Sequence, residues 1–87
     1  MDETVLFYLS EAGDKRLKML QLVSEAEEEQ EGMYLTKMAE EIGISHVAAR
    51  KHLQLLLEEG YLRYKNPDGK PKFLEMTDKG RSVLEDG

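Results

Sequence analysis

The stretch that decides the fold reads Met38-Ala-Glu-Glu-Ile-Gly-Ile-Ser-His-Val-Ala-Ala-Arg-Lys-His-Leu53. Thr36 is the predicted N-cap of a first helix, and Gly43 is expected to end it, because glycine readily adopts the left-handed conformation of a tight exit. Ser45 is a second N-cap, after which apolar residues recur at helical spacing up to Gly60. The sequence therefore predicts two helices joined by a tight turn over residues 35–59.

Small and apolar side chains on both sides of the turn favour close packing of these helices. Ala39 allows them to approach closely while crossing near a right angle. Ile42 and Ile44 are expected to fill the angle between them, and Ala49 with Leu53 to pack the inner face of the second helix. The outer face of that helix is then left for solvent or a partner.

Two further helices are predicted upstream. Apolar residues recur at helical spacing before Gly13, which is expected to stop the first of them: Val5, Leu6, Leu9 and Ala12. Asp14 is the predicted N-cap of the second, whose apolar face holds Leu17, Leu20 and Val23. This helix runs into the acid-rich segment 27–31, where carboxylates meet the negative end of the helix dipole. A mobile, fraying helix end is expected there.

After Gly60 the apolar pattern changes from helical to alternating. Residues 61–65 and 72–76 alternate, and Asn66-Pro-Asp-Gly-Lys-Pro71 between them is rich in turn-forming residues. Thr77 is the predicted N-cap of a last short helix over 77–87. The predicted fold class is mostly α with a small β hairpin, in one domain covering 1–87.

The order of these elements and the residues at the turn resemble a known family. Three segments are similar to winged helix-turn-helix regulators of bacteria and archaea, such as the ArsR and MarR groups. They are the stretch 38–53, Leu56-Leu-Glu-Glu-Gly-Tyr-Leu62 and Phe73-Leu-Glu-Met-Thr-Asp-Lys-Gly-Arg81. The resemblance implies a three-helix core over 14–60, a recognition helix over 45–59 and a wing over 61–76. It also implies binding of double-stranded DNA, as a transcription regulator.

The candidate DNA-binding residues follow from this arrangement. Arg50 and Gln54 are the expected base readers, since arginine bonds guanine and glutamine bonds adenine through two atoms each in the major groove. His46 and Val47 lie on the same outer face, nearest the N-terminus of the recognition helix. The expected backbone contacts are Thr36, Ser45 and Lys51, with Lys65, Lys70 and Lys72 from the wing.

Each of these assignments has a simpler alternative. Arg50, Lys51 and Gln54 also fit an ordinary solvated helix face, and lysines on an exposed hairpin also prevent edge-to-edge strand pairing. His46 and His52 lie six residues apart on different sides of a helix, so no metal site is expected. His52 is expected to be a half-buried packing residue.

Charge both opposes and supports DNA binding. The chain carries a net charge of -6, which repels a polyanion at long range. From Glu25 to Glu41 there are seven acids against Lys37, whereas residues 45–72 hold six cations and three acids. The acidic total keeps a second function open, a winged helix that binds another protein within a larger complex.

Other classes of function find little support. The chain has no cysteine, and no nucleophile with a base, phosphate-binding glycine loop or metal-ligand cluster is found, so neither an enzyme nor a cofactor is expected. The longest apolar run, Val5 to Leu9, is far short of the roughly 20 residues of a membrane span. We expect a cytoplasmic protein with no small-molecule ligand. The apolar residues within 4–12 suggest homodimer contacts, with packing in the chain's own core as the alternative.

Overall fold

Five helical segments and one hairpin make up the part of the chain that the structure, a computed structural model, describes: residues 3–8 and 10–86. The helices are α1 (Glu3–Phe7), α2 (Glu11–Glu28), α3 (Leu35–Ile42), α4 (His46–Glu58) and α5 (Asp78–Asp86). The strands are β1 (Leu62–Tyr64) and β2 (Leu74–Met76). The prediction of a mostly helical chain with a small β hairpin is confirmed. Leu9, counted in the first predicted helix, and the terminal residues 1, 2 and 87 lie outside the described residues.

The junction of α1 and α2 differs from the prediction. Ser10, not Asp14, is the N-cap of α2, because its hydroxyl oxygen accepts a hydrogen bond of 3.1 Å from the Gly13 N–H. Gly13 does not stop a helix but lies inside α2. A Cβ there would come within 2.7 Å of the Phe7 carbonyl carbon, so the glycine allows the backbones of the two helices to touch. Asp14 is an ordinary first-turn acid of α2.

The turn between α3 and α4 forms as predicted, apart from its first cap. Tyr34 occupies the N-cap position of α3 without a side-chain bond, and Thr36 lies within the helix, so its prediction as a cap is wrong. Gly43 adopts a φ of 79°, and its N–H donates to the Ala39 carbonyl at 2.9 Å. Ser45 caps α4 by accepting from the Ala48 N–H at 3.1 Å.

The hairpin pairs β1 and β2 antiparallel, with Arg63 opposite Glu75. Its loop is organised by Asn66, whose Oδ1 accepts from the Phe73 N–H at 2.7 Å and whose Nδ2 donates to the Pro71 carbonyl. One backbone bond, from the Lys65 N–H to the Phe73 carbonyl at 2.8 Å, continues the pairing beyond the strands, and the Asn66 side-chain bonds then replace it. On the other edge of β2 the Leu74 N–H donates to the carbonyl of Met33, in the connection before α3.

One core holds the elements together. Leu6 and Phe7 of α1 are buried in it beside Met19, Leu20 and Val23 of α2. On the side of the turn, the core contains Ala39, Ala49 and Leu53, while Ile42 and Ile44 are partly buried against it, as predicted. Leu6 and Phe7 therefore pack in the chain's own core. Tyr8, which follows α1, is the described residue of this region with a large exposed apolar side chain, and its exposed fraction is 49%.

The acidic end of α2 is tied to the rest of the molecule. One carboxylate oxygen of Glu27 accepts from the Met76 N–H at 2.6 Å, and the other lies 3.2 Å from the Arg81 guanidinium. Glu27 therefore satisfies a donor on the edge of β2 that faces away from β1. The helix end predicted to fray is therefore held at Glu27, which is itself exposed, as are Glu28, Glu29 and Glu31.

Candidate nucleic-acid interface

The outer face of α4 is a continuous exposed stripe. Arg50, Lys51 and Gln54 lie three, four and seven positions after Val47, the spacing that places side chains on one side of a helix. All four are exposed, whereas Ala49, Leu53 and Leu56 on the inner side are buried. The helix thus offers a cationic and polar surface that makes no contribution to the core.

A groove runs between this stripe, the start of α3 and the hairpin. It has a volume of about 490 Å³ and contains four of the residues predicted to contact DNA: Thr36, Arg50, Gln54 and Lys72. The other residues that line it are Tyr34, Leu35, Leu53, Leu57, Tyr64 and Pro71. Side chains from three separate stretches of sequence therefore meet at one concave surface.

Lys72 is the hairpin lysine that lines this groove. Its ammonium lies 5.3 Å from the centre of the Tyr64 ring, a distance at which the ring attracts the cation. The contact holds the charge at the hairpin wall opposite Arg50 and Gln54 of α4. Lys72 is exposed and lines the groove, so its charge can pair with an anion that enters.

The other two predicted hairpin lysines lie elsewhere. Lys65 lines a second groove on the acidic side of the hairpin, together with Glu27, Glu31 and Glu75. Lys70 is exposed in the loop and lines neither groove. The three lysines predicted as one set are therefore divided, and Lys72 alone among them adjoins the α4 stripe.

The N-terminal end of α4 holds the remaining candidates. The Ser45 oxygen is engaged as an acceptor in the helix cap, which leaves its hydroxyl hydrogen to donate to a phosphate. His46 and Lys51 are exposed. None of these three lines the groove; among them, Lys51 adds a second cation beside Arg50 on the exposed face of α4.

Gln54 already has a partner on its own helix. Its Nε2 donates to a carboxylate oxygen of Glu58 at 3.1 Å, one turn further on. Both side chains are exposed, so this bond competes with water and is worth little. The carboxamide can therefore exchange Glu58 for a base edge at small cost.

The structure also places acidic residues around α3. Glu25, Glu29, Glu31 and Glu41 line a small cleft between α2 and α3, with Lys37 among them. Glu40 is exposed one helical turn after Thr36, on the side of α3 that leads into the α4 groove. A cluster of acids therefore lies on the α2 and α3 side, and Glu40 is one helical turn from Thr36 on α3.

Sequence reasoning did not select six of the ten groove residues, of which three are not leucines. Tyr34, Tyr64 and Pro71 line the surface with the predicted residues. Tyr64 gave a weak signal, as an aromatic residue beside basic ones in the hairpin, but the meeting of both tyrosines with α4 depends on contacts between distant parts of the chain. Pro71 was assigned only to the turn.

His52 links α4 to the N-terminal part of the molecule. Its Nδ1 accepts a hydrogen bond of 3.2 Å from Arg16 Nε, and the same guanidinium donates to the Leu6 carbonyl at 3.2 Å. Burial, followed by the charges of Arg16 and Lys15, lowers the pKa of His52 below its ordinary value of 6.5. His52 is half-buried, as predicted, and the bond requires its neutral form.

Comparisons with known proteins do not assign a family: no family model matches the chain, and no curated protein matches it. Among the described residues, none of the helices combines the length and apolar character needed to cross a membrane. Within residues 3–8 and 10–86, no three His, Asp or Glu side chains are grouped so that they could hold a metal ion.

Proposed function

We propose that this chain is a winged helix-turn-helix protein that binds double-stranded DNA as a transcription regulator. In this proposal α4 enters the major groove and the hairpin is the wing, which lies on the phosphate backbone. The observation that carries it is the groove between α3, α4 and the hairpin, where Thr36, Arg50, Gln54 and Lys72 meet. The binding role requires no catalytic group and no cofactor, and we place it in the cytoplasm of a bacterium or archaeon.

Each group in this surface has a chemical use on DNA. Arg50 can donate two hydrogen bonds to guanine O6 and N7, and Gln54 can donate and accept at adenine N6 and N7. Thr36 and Lys72, on the two sides of α4, suit the phosphates that border a major groove. Since phosphate contacts release bound counterions, binding by this surface falls steeply with salt.

The charge distribution supports this orientation. The acids of α2 and α3 repel a polyanion from that side, whereas the α4 stripe carries Arg50 and Lys51 and no acid before Glu58. An acidic protein can therefore still present one cationic surface. The rival function, a winged helix that binds another protein, predicts instead that duplex DNA gives no salt-dependent signal.

Fluorescence anisotropy with a labelled duplex of mixed sequence tests the proposal at two salt concentrations. The parent is expected to bind more weakly at the higher salt. Arg50→Ala combined with Lys51→Ala should weaken binding, in part through the lost base contact of Arg50, and should reduce the slope of log affinity against log salt by about 1, since the lost phosphate contact of Lys51 removes roughly one from that slope.

The control removes the same number of charges from another surface. Lys15→Ala with Lys18→Ala changes two cations of α2 and should leave most of the affinity and the salt slope in place. No binding by the parent, or equal and salt-insensitive binding by the parent and the α4 variant, would contradict the proposal and favour the protein-binding alternative.

Dimerisation through residues 4–12 stays a prediction. A symmetric dimer would place its two α4 helices about 34 Å apart, on successive major grooves of one DNA face. Leu6 and Phe7 pack within the chain, whereas Tyr8 is a large apolar side chain of this segment that is exposed to a second copy. Light scattering at micromolar concentration distinguishes a dimer from a monomer.

A further inference from the structure

Val47 is the most exposed large apolar side chain among the residues that the structure describes. Its exposed fraction is 67%, against 49% for Tyr8, the other such residue. It lies in the first turn of α4, where Ala48 and Ala49 beside it turn toward the protein and are partly or fully buried. The core therefore gives no reason for a valine here.

The neighbours of Val47 point to its partner. Arg50 and Lys51 follow it at the three- and four-residue steps of one helix face, and His46 precedes it, also exposed. An apolar side chain set in a cationic stripe fits a partner that is anionic overall and carries small apolar groups. The major groove of DNA has this character, because the C5 methyl of thymine is its apolar feature among polar base edges.

We propose that Val47 makes the chain specific for thymine, by packing on the C5 methyl group of a thymine in the major groove. This inference rests on the proposed function, and goes beyond it by naming a base and the atom that is recognised. Lys51 supplies attraction to the backbone that does not depend on sequence and Arg50 reads guanine, whereas Val47 adds a preference for thymine at one base pair. Uracil, which pairs in the same way and lacks the methyl, is the substitute that separates the two effects.

The test begins with duplexes recovered by the parent protein from a random pool. Each thymine in a recovered duplex is replaced in turn by deoxyuridine, and affinity is measured by anisotropy. We expect one thymine per bound subunit at which the replacement weakens binding about fourfold, the effect of burying one methyl-sized group. Val47→Ala should bind the thymine and uracil duplexes equally, and because Val47 is exposed, this variant should fold normally.

Lys51→Ala is the matched control on the same face. It should weaken binding to both duplexes by the same factor, so that the ratio between thymine and uracil is kept. The inference is overturned if no thymine replacement affects the parent, if the recovered duplexes share no thymine, or if Val47→Ala keeps the parent's ratio. Failure of the proposed function is distinct, because then the parent recovers and binds no duplex at all, which overturns both.

Discussion

Gly43 sets the direction in which α4 leaves α3. Glycine is required there for its backbone conformation and not because a side chain would lack space. Its φ of 79° is in the left-handed region, yet a Cβ added there would meet no atom within 4 Å. Gly80 is the opposite case, because a Cβ there would lie 2.2 Å from the Tyr61 carbonyl oxygen. The first glycine is required for conformation and the second for close packing of α5.

Gly43→Ala should destabilise the protein by about 1–2 kcal/mol, the cost of the left-handed conformation for a residue with a Cβ. Gly43→Asn should cost less, since asparagine tolerates this conformation better. Gly80→Ala should be the most damaging of the three, because backbone must move to admit the methyl. Urea unfolding followed by circular dichroism measures the order, and an alanine at 43 as stable as glycine would contradict the strain argument.

At the scale of elements, the helices are joined by side chains that reach across large gaps in sequence. Glu27 ties α2 to β2 and α5, and Arg16 ties α2 to the Leu6 carbonyl of α1 and to His52 of α4. The second link depends on protonation, because His52 accepts through an Nδ1 that must carry no proton. The position of α4 against the N-terminal helices is therefore coupled to pH.

The sign of this coupling follows from the pKa of His52, which is lower in the folded chain than its ordinary value of 6.5. As pH falls below 6.5, the unfolded chain takes up a proton before the folded chain does. The free energy of unfolding therefore decreases, until the pH is also below the pKa of His52 in the folded chain. His52→Gln keeps an acceptor for Arg16 but does not titrate. The free energy of unfolding should be measured at several pH values below 6.5. It should decrease more in the parent than in His52→Gln, and an equal decrease in the two proteins would exclude this role of His52.

At the scale of the whole molecule, features that depend on neighbouring residues could mostly be predicted from the sequence. Contacts between residues far apart in the sequence could not. The Gly43 turn, the Ser45 cap and the hairpin each depend on residues a few positions apart, and sequence reasoning located all three. The Ser10 cap was missed because Asp14 and Gly13 offered an equally good local solution, which the close approach of Phe7 rules out. The Glu27 contact with Met76 spans 49 positions, and the entry of Tyr64 and Pro71 into the groove likewise arises only on folding.

The uneven distribution of charge leads to a prediction about the molecule as a whole. Its extents are 33 × 27 × 22 Å, whereas charges are screened over about 10 Å at 0.1 M salt. An acid should therefore oppose DNA binding according to its position and not merely through the net charge. Glu40 and Glu25 carry the same charge at different distances along the surface from α4. Glu40 lies one turn from Thr36 at the groove, and Glu25 lies in the cleft between α2 and α3.

Glu40→Gln should raise the affinity for a mixed-sequence duplex about two- to fivefold at low salt, the range expected for one exposed charge interaction. Glu25→Gln removes the same charge and should change the affinity less. Fluorescence anisotropy should be measured at about 0.05 M and about 0.2 M salt, a range over which binding through phosphate contacts weakens strongly. The difference in affinity between the two variants should shrink as salt rises. Equal gains from the two variants would mean that net charge alone governs binding, and no gain from Glu40→Gln would place the DNA away from the α3 side of the groove.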